Sequence, residues 1–254
     1  MPFITAYKTE QGLAKQANQD ALMIKTARTK NGQVGLFVVC DGMGGLSEGG
    51  EIASKMLVEG LANWFEQTLP ILLQSDQEDI PLHLTNKIEH LNQQLIQYGE
   101  QHQLKMGSTL TAIFIINQSY YTFQVGDSRA YLLSDDIYQL TKDQTLVARE
   151  VERGMITLEE AKSHPKKHVL LQCIGIQSTI EVVKTSGLLT GGELLLLCTD
   201  GFYQKLTERE IKDRITTYST FSKENMESAI MSLVQNLRDR EETDDITAVL
   251  VNIV

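Results

Sequence analysis

The chain has 254 residues, of which 42% are hydrophobic and 22% charged, and its formal net charge is -10. That length buries a substantial core, so one domain over 1–254 is expected, and the composition excludes disordered and fibrous designs. The acidic balance argues against nucleic acid and anionic membrane surfaces as partners, because both repel it.

Along the chain, MPFITAYKTEQG lacks a basic stretch followed by an apolar one, so no secretory signal is expected, and no apolar run approaches membrane-spanning length. A β-branched apolar run predicts a strand over 34–40. Ile52, Ala53, Met56, Leu57, Leu61 and Phe65 then repeat at helical spacing, with Trp64 and Phe65 read as core. Leu84, Ile88, Leu91, Leu95 and Tyr98 mark a second helix. Strands follow over 110–116 and 120–125. The stretch 143–175 carries short helical patterns over 146–153 and 158–163 and a break at His164-Pro165, which predicts a small inserted lobe. A strand over 193–198, a helix carrying Ala229, Ile230, Leu233, Val234 and Leu237, and a strand over 246–254 complete the chain. Regular strand-helix alternation is missing, so a layered α+β protein with largely antiparallel sheets is expected. Cys40, Cys173 and Cys198 lie in apolar runs and are odd in number, which predicts reduced core thiols and a cytoplasmic location.

Acidic residues stand at the strand ends: Asp41-Gly42, Asp127, Asp200-Gly201, and Asp244-Asp245 ahead of the last strand, with Asp20 after Asn18-Gln19. Carboxylates gathered on one rim raise one another's pKa unless cations join them, and as hard oxygen ligands they suit Mg²⁺ or Mn²⁺. Asp-Gly taken singly is a common turn dipeptide. The pattern as a set, with Asp41-Gly42-Met43-Gly44-Gly45 and Gly126-Asp127-Ser128-Arg129, points beyond turns. Other chemistries lack their residues. A dinucleotide loop needs glycine where Ser47 stands, and a phosphorylated-aspartate hydrolase needs a second aspartate where Met43 stands. No cysteine leads a phosphate cradle ending in glycine-arginine, and Pro165 breaks the zinc-like spacing of His164 and His168. Glu241 and Glu242 read as a solvated turn.

Seven ordered segments carry a resemblance: KQANQD (15–20), DGMGGLSEGGEIAS (41–54), GSTL (107–110), VGDSRAYL (125–132), DQTLVAREVERGMITLEEAKSHPKKHVLLQCIG (143–175), CTDGF (198–202) and TDDITAVLV (243–251). From about Ala6 to the C-terminus the chain resembles the protein phosphatase 2C family, in its bacterial branch. The resemblance implies a four-layer αββα sandwich of two antiparallel sheets with flanking helices, a metal cleft at one end and a flap insertion at about 143–175. It implies a phosphoprotein phosphatase acting on phosphoserine and phosphothreonine through a hydroxide bridging two Mn²⁺ or Mg²⁺ ions, with a third ion typical of bacterial members. Asp41 would bridge the two metals, the Gly42 carbonyl would bind the second, and Asp200 and Asp244 would complete the first. These three aspartates form the implied catalytic set. Asp127 with Asp200 would hold the third ion, Asp20 would act through water, and Asp245 would support Asp244. Phosphoprotein substrates and a cognate Ser/Thr kinase are implied as well, and a monomer is expected, although no residue pattern fixes the oligomeric state.

The chain departs from the family pattern at Lys15, where an arginine usually grips the substrate phosphate, and a lysine offers a point charge in place of a fork. Gln19 and Met43 replace the glutamate and histidine of eukaryotic members. Lys167, His168 and Gln172 replace the usual arginine, asparagine and arginine of the flap. The alternative function is a pseudophosphatase of the same fold that binds phosphoproteins or a kinase without turnover. The complete aspartate set favours activity.

Overall fold

The computed structural model describes residues 3–30, 32–44, 49–74, 79–217 and 221–253. Its first half runs β1 (Phe3–Glu10), β2 (Asp20–Thr29), β3 (Gly32–Met43), α1 (Gly49–Asn63), a π-helical turn (Trp64–Thr68), α2 (Leu69–Leu72), α3 (Ile80–His102), β4 (Gly107–Ser108), β5 (Leu110–Ile116) and β6 (Ser119–Val125). Its second half runs β7 (Arg129–Leu133), β8 (Ile137–Gln139), α4 (Leu146–Glu152), α5 (Leu158–Ser163), β9 (Val183–Leu188), β10 (Leu194–Cys198), α6 (Asp200–Tyr203), α7 (Glu208–Ile215), α8 (Lys223–Asp239) and β11 (Ile246–Ile253).

Two sheets form, ordered β1-β11-β10-β7-β8 and β2-β3-β5-β6-β9, with β4 paired to β3. Every pairing within them is antiparallel. Strand alternation sends Phe37, Val39, Ile113 and Ile115 of one sheet and Leu195, Leu197, Val249 and Val251 of the other into a shared core between the sheets. The opposite face of the first group's sheet packs Leu36, Val38 and Phe114 on Leu57 and Leu61 of α1 and on Leu84, Ile88 and Leu95 of α3. On the outer side of the other sheet, Leu196, Ala248 and Leu250 meet Ile211 of α7 and Ile230, Leu233 and Leu237 of α8. The expected αββα layering is therefore observed.

Trp64 and Phe65 are buried, as expected, and Trp64 meets Phe114 edge-on with ring centroids 6.2 Å apart. The helix that carries them changes to π pitch at Trp64, where the sequence reading expects a continuous α-helix. All three cysteines are free and buried. Strands β1, β2, β4, β7, β8 and β9 and helices α2, α6 and α7 go beyond the elements expected from sequence. β1 and β2 mix Thr, Lys and Arg with apolar residues and stay partly exposed, so no apolar run announces them. The motif residues Gly45, Leu46, Ser47 and Glu48 lie outside the described residues. No helix among the described residues is long and apolar enough to cross a membrane.

Candidate active site

Strand register delivers the first two carboxylates. Asp20 opens β2 directly opposite Asp41 near the end of β3, and directly opposed residues of an antiparallel pair share a face. The Asp41 backbone is fixed by the Gly107-Ser108-Thr109 segment: Asp41 N–H donates to Thr109 Oγ1 (3.0 Å), and its carbonyl accepts from Thr109 N–H (2.9 Å) and Ser108 Oγ (3.0 Å). Asp200 follows β10 as the first residue of α6, Asp127 follows β6, and Asp244 precedes β11.

Both Asp-Gly pairs owe their glycine to close packing. Neither Gly42 nor Gly201 has a positive φ. A Cβ on Gly42 would lie 2.0 Å from the Gly50 carbonyl oxygen of α1, and one on Gly201 would lie 2.1 Å from the Asp245 carbonyl oxygen. Gly126 is different. Its φ of 104° and a Cβ position 2.7 Å from Thr109 Cγ2 make it a true backbone requirement ahead of Asp127.

Asp20, Asp127 and Asp200 are buried and Asp41 is half-buried. Burial, then the negative charges of Asp20, Asp200, Asp244 and Asp127, pushes Asp41 well above the usual carboxylate range. Burial likewise raises Asp20 to about 8, against hydrogen bonds from Thr247 and Thr199. Burial and the Asp244 charge raise Asp200 to about 7, and burial with the Asp200 and Asp143 charges raises Asp127. The charge of each thus bears on the protonation of another. Among the described residues, however, no three His, Cys, Asp or Glu side chains form a ready-made metal cage.

Hydrogen bonds satisfy some of the site oxygens and leave others bare. Thr199 Oγ1 donates to Asp20 Oδ2 (2.8 Å), and Gln204 Nε2 donates to Asp200 Oδ2 (2.7 Å). Asp20 Oδ1 and Asp200 Oδ1 are buried with no partner. A buried carboxylate oxygen without a partner is costly, and a cation is the partner that would also relieve the mutual repulsion. The donor set therefore fits hard divalent ions.

Lys15, the expected phosphate ligand, lies with its Nζ 2.6 Å from Asp244 Oδ1. Burial lowers the affinity of its ammonium for the proton. The Asp244 carboxylate, with Asp41 and Asp245 behind it, outweighs burial and holds its pKa above the ordinary lysine value. Asp245 is 2% exposed, and its carboxylate accepts from Gly12 N–H and Gln19 N–H, both at 2.8 Å.

One expectation needs correction. Glu242 is buried, not solvated: its Oε1 accepts from Thr243 N–H (2.7 Å) and Asp244 N–H (3.0 Å), which shapes the turn carrying Asp244. Glu241 is exposed, as expected. The charge run around these residues hides this role, since only the fold shows which of two adjacent glutamates faces inward.

The inserted lobe carries α4 and α5 and returns to the site's edge through bridges Thr145–Leu170 and Ser108–Ile174. From it, His168 Nδ1 comes within 4.0 Å of Asp200 Oδ2 and 3.4 Å of Gln204 Nε2. Gln172 turns away, accepting from Glu181 N–H. Thr199, Gln204, Ser108 and Thr109 are supporting residues to which the sequence reading gives no role. For Thr199, Ser108 and Thr109 the one signal is position inside a motif; Gln204, four residues past Asp200 and outside the motifs, carries none. Grooves of about 470 Å³ between α1 and α3 and about 300 Å³ beside β2 and α2 hold none of these aspartates.

The model of the family described as Protein phosphatase 2C matches residues 12–244. The serine/threonine phosphatase stp of Listeria innocua is 31% identical over 219 residues, covering 85% of this chain and 84% of its own. The crystal structure of serine/threonine phosphatase Stp1 from Staphylococcus aureus superposes with a TM-score of 0.86 at 28% identity, covering 100% of this chain and 96% of that one. The catalytic domain of the serine/threonine phosphatase PstP, solved in complex with two manganese ions, gives a TM-score of 0.81 at 25% identity and covers 99% and 98% of the two chains. With the fold, the order of the aspartates and a family match along most of its length in agreement, the chain belongs to the protein phosphatase 2C family.

Proposed function

We propose that this chain is a single catalytic domain that removes phosphate from phosphoserine and phosphothreonine in proteins, using Mn²⁺ or Mg²⁺. The observation that carries the reading is the buried, under-compensated carboxylate cluster around Asp41, with bare oxygens on Asp20 and Asp200. Relatives named as serine/threonine phosphatases, one of them with two manganese ions, supply the reaction class. A binding module without turnover draws no support from them.

Asp41, Asp200 and Asp244, with the Gly42 carbonyl, would hold two ions, and Asp127 with Asp200 a third. Bound there, the ions would supply an activated water for attack on phosphorus and offset charge developing on the phosphoryl oxygens. Among the chain's own groups, Lys15 brings a positive charge to the same rim and would bind a phosphoryl oxygen. Thr199 and Gln204 each hydrogen-bond one oxygen of the Asp20 and Asp200 carboxylates and leave the other buried and unpartnered. In the cell the chain would act as a cytoplasmic monomer and reverse the work of a Ser/Thr kinase.

The test is hydrolysis of p-nitrophenyl phosphate and of a phosphothreonine peptide with Mn²⁺, with chelator, and by Asp200→Asn. Turnover should require the metal and fall more than about 100-fold in the variant, beyond the loss typical of outer-shell changes. A folded wild-type protein that turns over neither substrate at any Mn²⁺ concentration would overturn the proposal.

A further inference from the structure

The contact between Lys15 and Asp244 joins two groups that the phosphatase reading assigns to different ligands, one to phosphate and one to metal. Their side chains are 30% and 34% exposed, yet the backbone beneath them is fixed. The Asp245 carboxylate holds Gly12 N–H and Gln19 N–H, gripping the 12–19 loop at both ends. Ala14 N–H donates to the Thr243 carbonyl at 3.2 Å. A Cβ on Gly12 would lie 2.3 Å from that same carbonyl oxygen, so the loop can sit against the Asp244 turn only as glycine. Loop and turn thus move as one body, and the free variable is the four-carbon stem of Lys15.

We infer that Lys15 is an exchangeable internal counter-cation. It neutralises Asp244 while the site lacks metal, and it is released toward a phosphoryl oxygen when a divalent ion takes that carboxylate. The inference rests on the phosphatase reading and deepens it, because one side chain then links metal loading to phosphate binding. The physical basis is competition. An ammonium left against a carboxylate that a dication has taken is repelled by the dication, and a partly exposed single ion pair is weak enough to yield. Lysine suits the role better than arginine, whose fork would hold Asp244 by two bonds and leave less readily.

The test is calorimetric titration of Mn²⁺ into wild-type, Lys15→Met and Lys15→Arg proteins, joined to NMR of the Lys15 ammonium with Mg²⁺ and inorganic phosphate. Lys15→Met should bind Mn²⁺ about fivefold tighter, the upper end expected for a partly exposed ion pair, and Lys15→Arg no tighter than wild type. The wild-type ammonium signal should shift on adding Mg²⁺, and again on adding phosphate only when Mg²⁺ is present. Lys15→Met with Mn²⁺ affinity equal to or below wild type, or an ammonium signal that Mg²⁺ leaves in place, would overturn the exchange. In either case wild-type turnover would leave the phosphatase reading standing. A wild-type protein that takes up no Mn²⁺ would bring down both.

Discussion

Two clusters of charge lie side by side in this molecule and are built on opposite rules. Around Arg129 every charge is answered. Its guanidinium grips Asp143 with two nitrogens (2.9 and 2.7 Å), donates to the Tyr131 hydroxyl (2.8 Å) and lies 3.8 Å from the centre of the Tyr203 ring. Gln139 adds a further donor to Asp143 (3.0 Å). Around Asp41 like charges are left uncompensated: Asp20 and Asp200 each keep a buried oxygen without a partner, and burial and mutual repulsion raise the carboxylates' pKa values. The two clusters touch through Tyr203, whose hydroxyl donates to the Asp127 carbonyl (3.1 Å). Burial of charge therefore does not mark function here. What separates the candidate site from the scaffold is whether the charge is satisfied.

The sharpest way to break this contrast is to remove one charge from each side. Asp200→Asn should abolish most turnover yet leave the metal-free protein at least as stable as wild type, because it removes one member of a repelling set. Arg129→Ala should destabilise the fold by about 3 kcal/mol, since it strands the Asp143 carboxylate and the Tyr131 hydroxyl. Denaturant unfolding of metal-free samples reads both. If Asp200→Asn unfolds as readily as Arg129→Ala, Asp200 is scaffold and the contrast fails.

Metal should act on one cluster alone. At about 100 times its Kd, Mn²⁺ would add about 2.7 kcal/mol by mass action, and so raise Tm by roughly 5 to 10 °C for a domain of this size. The rise should shrink in Asp200→Asn, which removes a ligand of the first and third ions but leaves Asp41 and the Gly42 carbonyl for the second, and it should persist in full in Arg129→Ala. An undiminished rise in Asp200→Asn would mean that Asp200 holds none of the ions.

The sequence showed these two clusters very unequally. Asp41, Asp127, Asp200 and Asp244 could be picked out because strands end beside them, and an apolar run closed by an acid is visible in one dimension. The core strands and long amphipathic helices were visible for the same reason: periodicity is local. Arg129 and Asp143 lie 14 residues apart with no pattern between them, and only the hairpin of β7 and β8 brings the segments together. The Lys15 contact with Asp244 spans almost the whole chain and depends on β1 pairing with β11, and β1 itself has no apolar run to announce it. Glu242 shows the limit most plainly, since it differs from Glu241 only in which way the turn after α8 faces it.

A smaller test takes the satisfied kind of charge to the surface. Glu210 on α7 closes a capping box with Thr207 and pairs with Arg240. The Arg240 hydrogen bond, followed by those from the Thr207 N–H and hydroxyl, pulls its pKa down from 4.5 to about 2. A carboxylate whose folded pKa is depressed contributes stability above its unfolded pKa and loses it as pH falls through the folded value. The contribution of Glu210 should thus be complete above about pH 5 and fade toward pH 2. Because the pair is solvent-exposed, screening keeps the effect below about 1 kcal/mol. Thermal melting of wild type and Glu210→Gln should show a gap of a few degrees or less at pH 7 that closes near pH 2 to 3, with turnover at pH 7 unchanged. A gap of the same size at both pH values would assign it to the geometry of the capping box, because that part survives protonation, and would deny Glu210 the charge compensation that sets the Arg129 cluster apart from the aspartates.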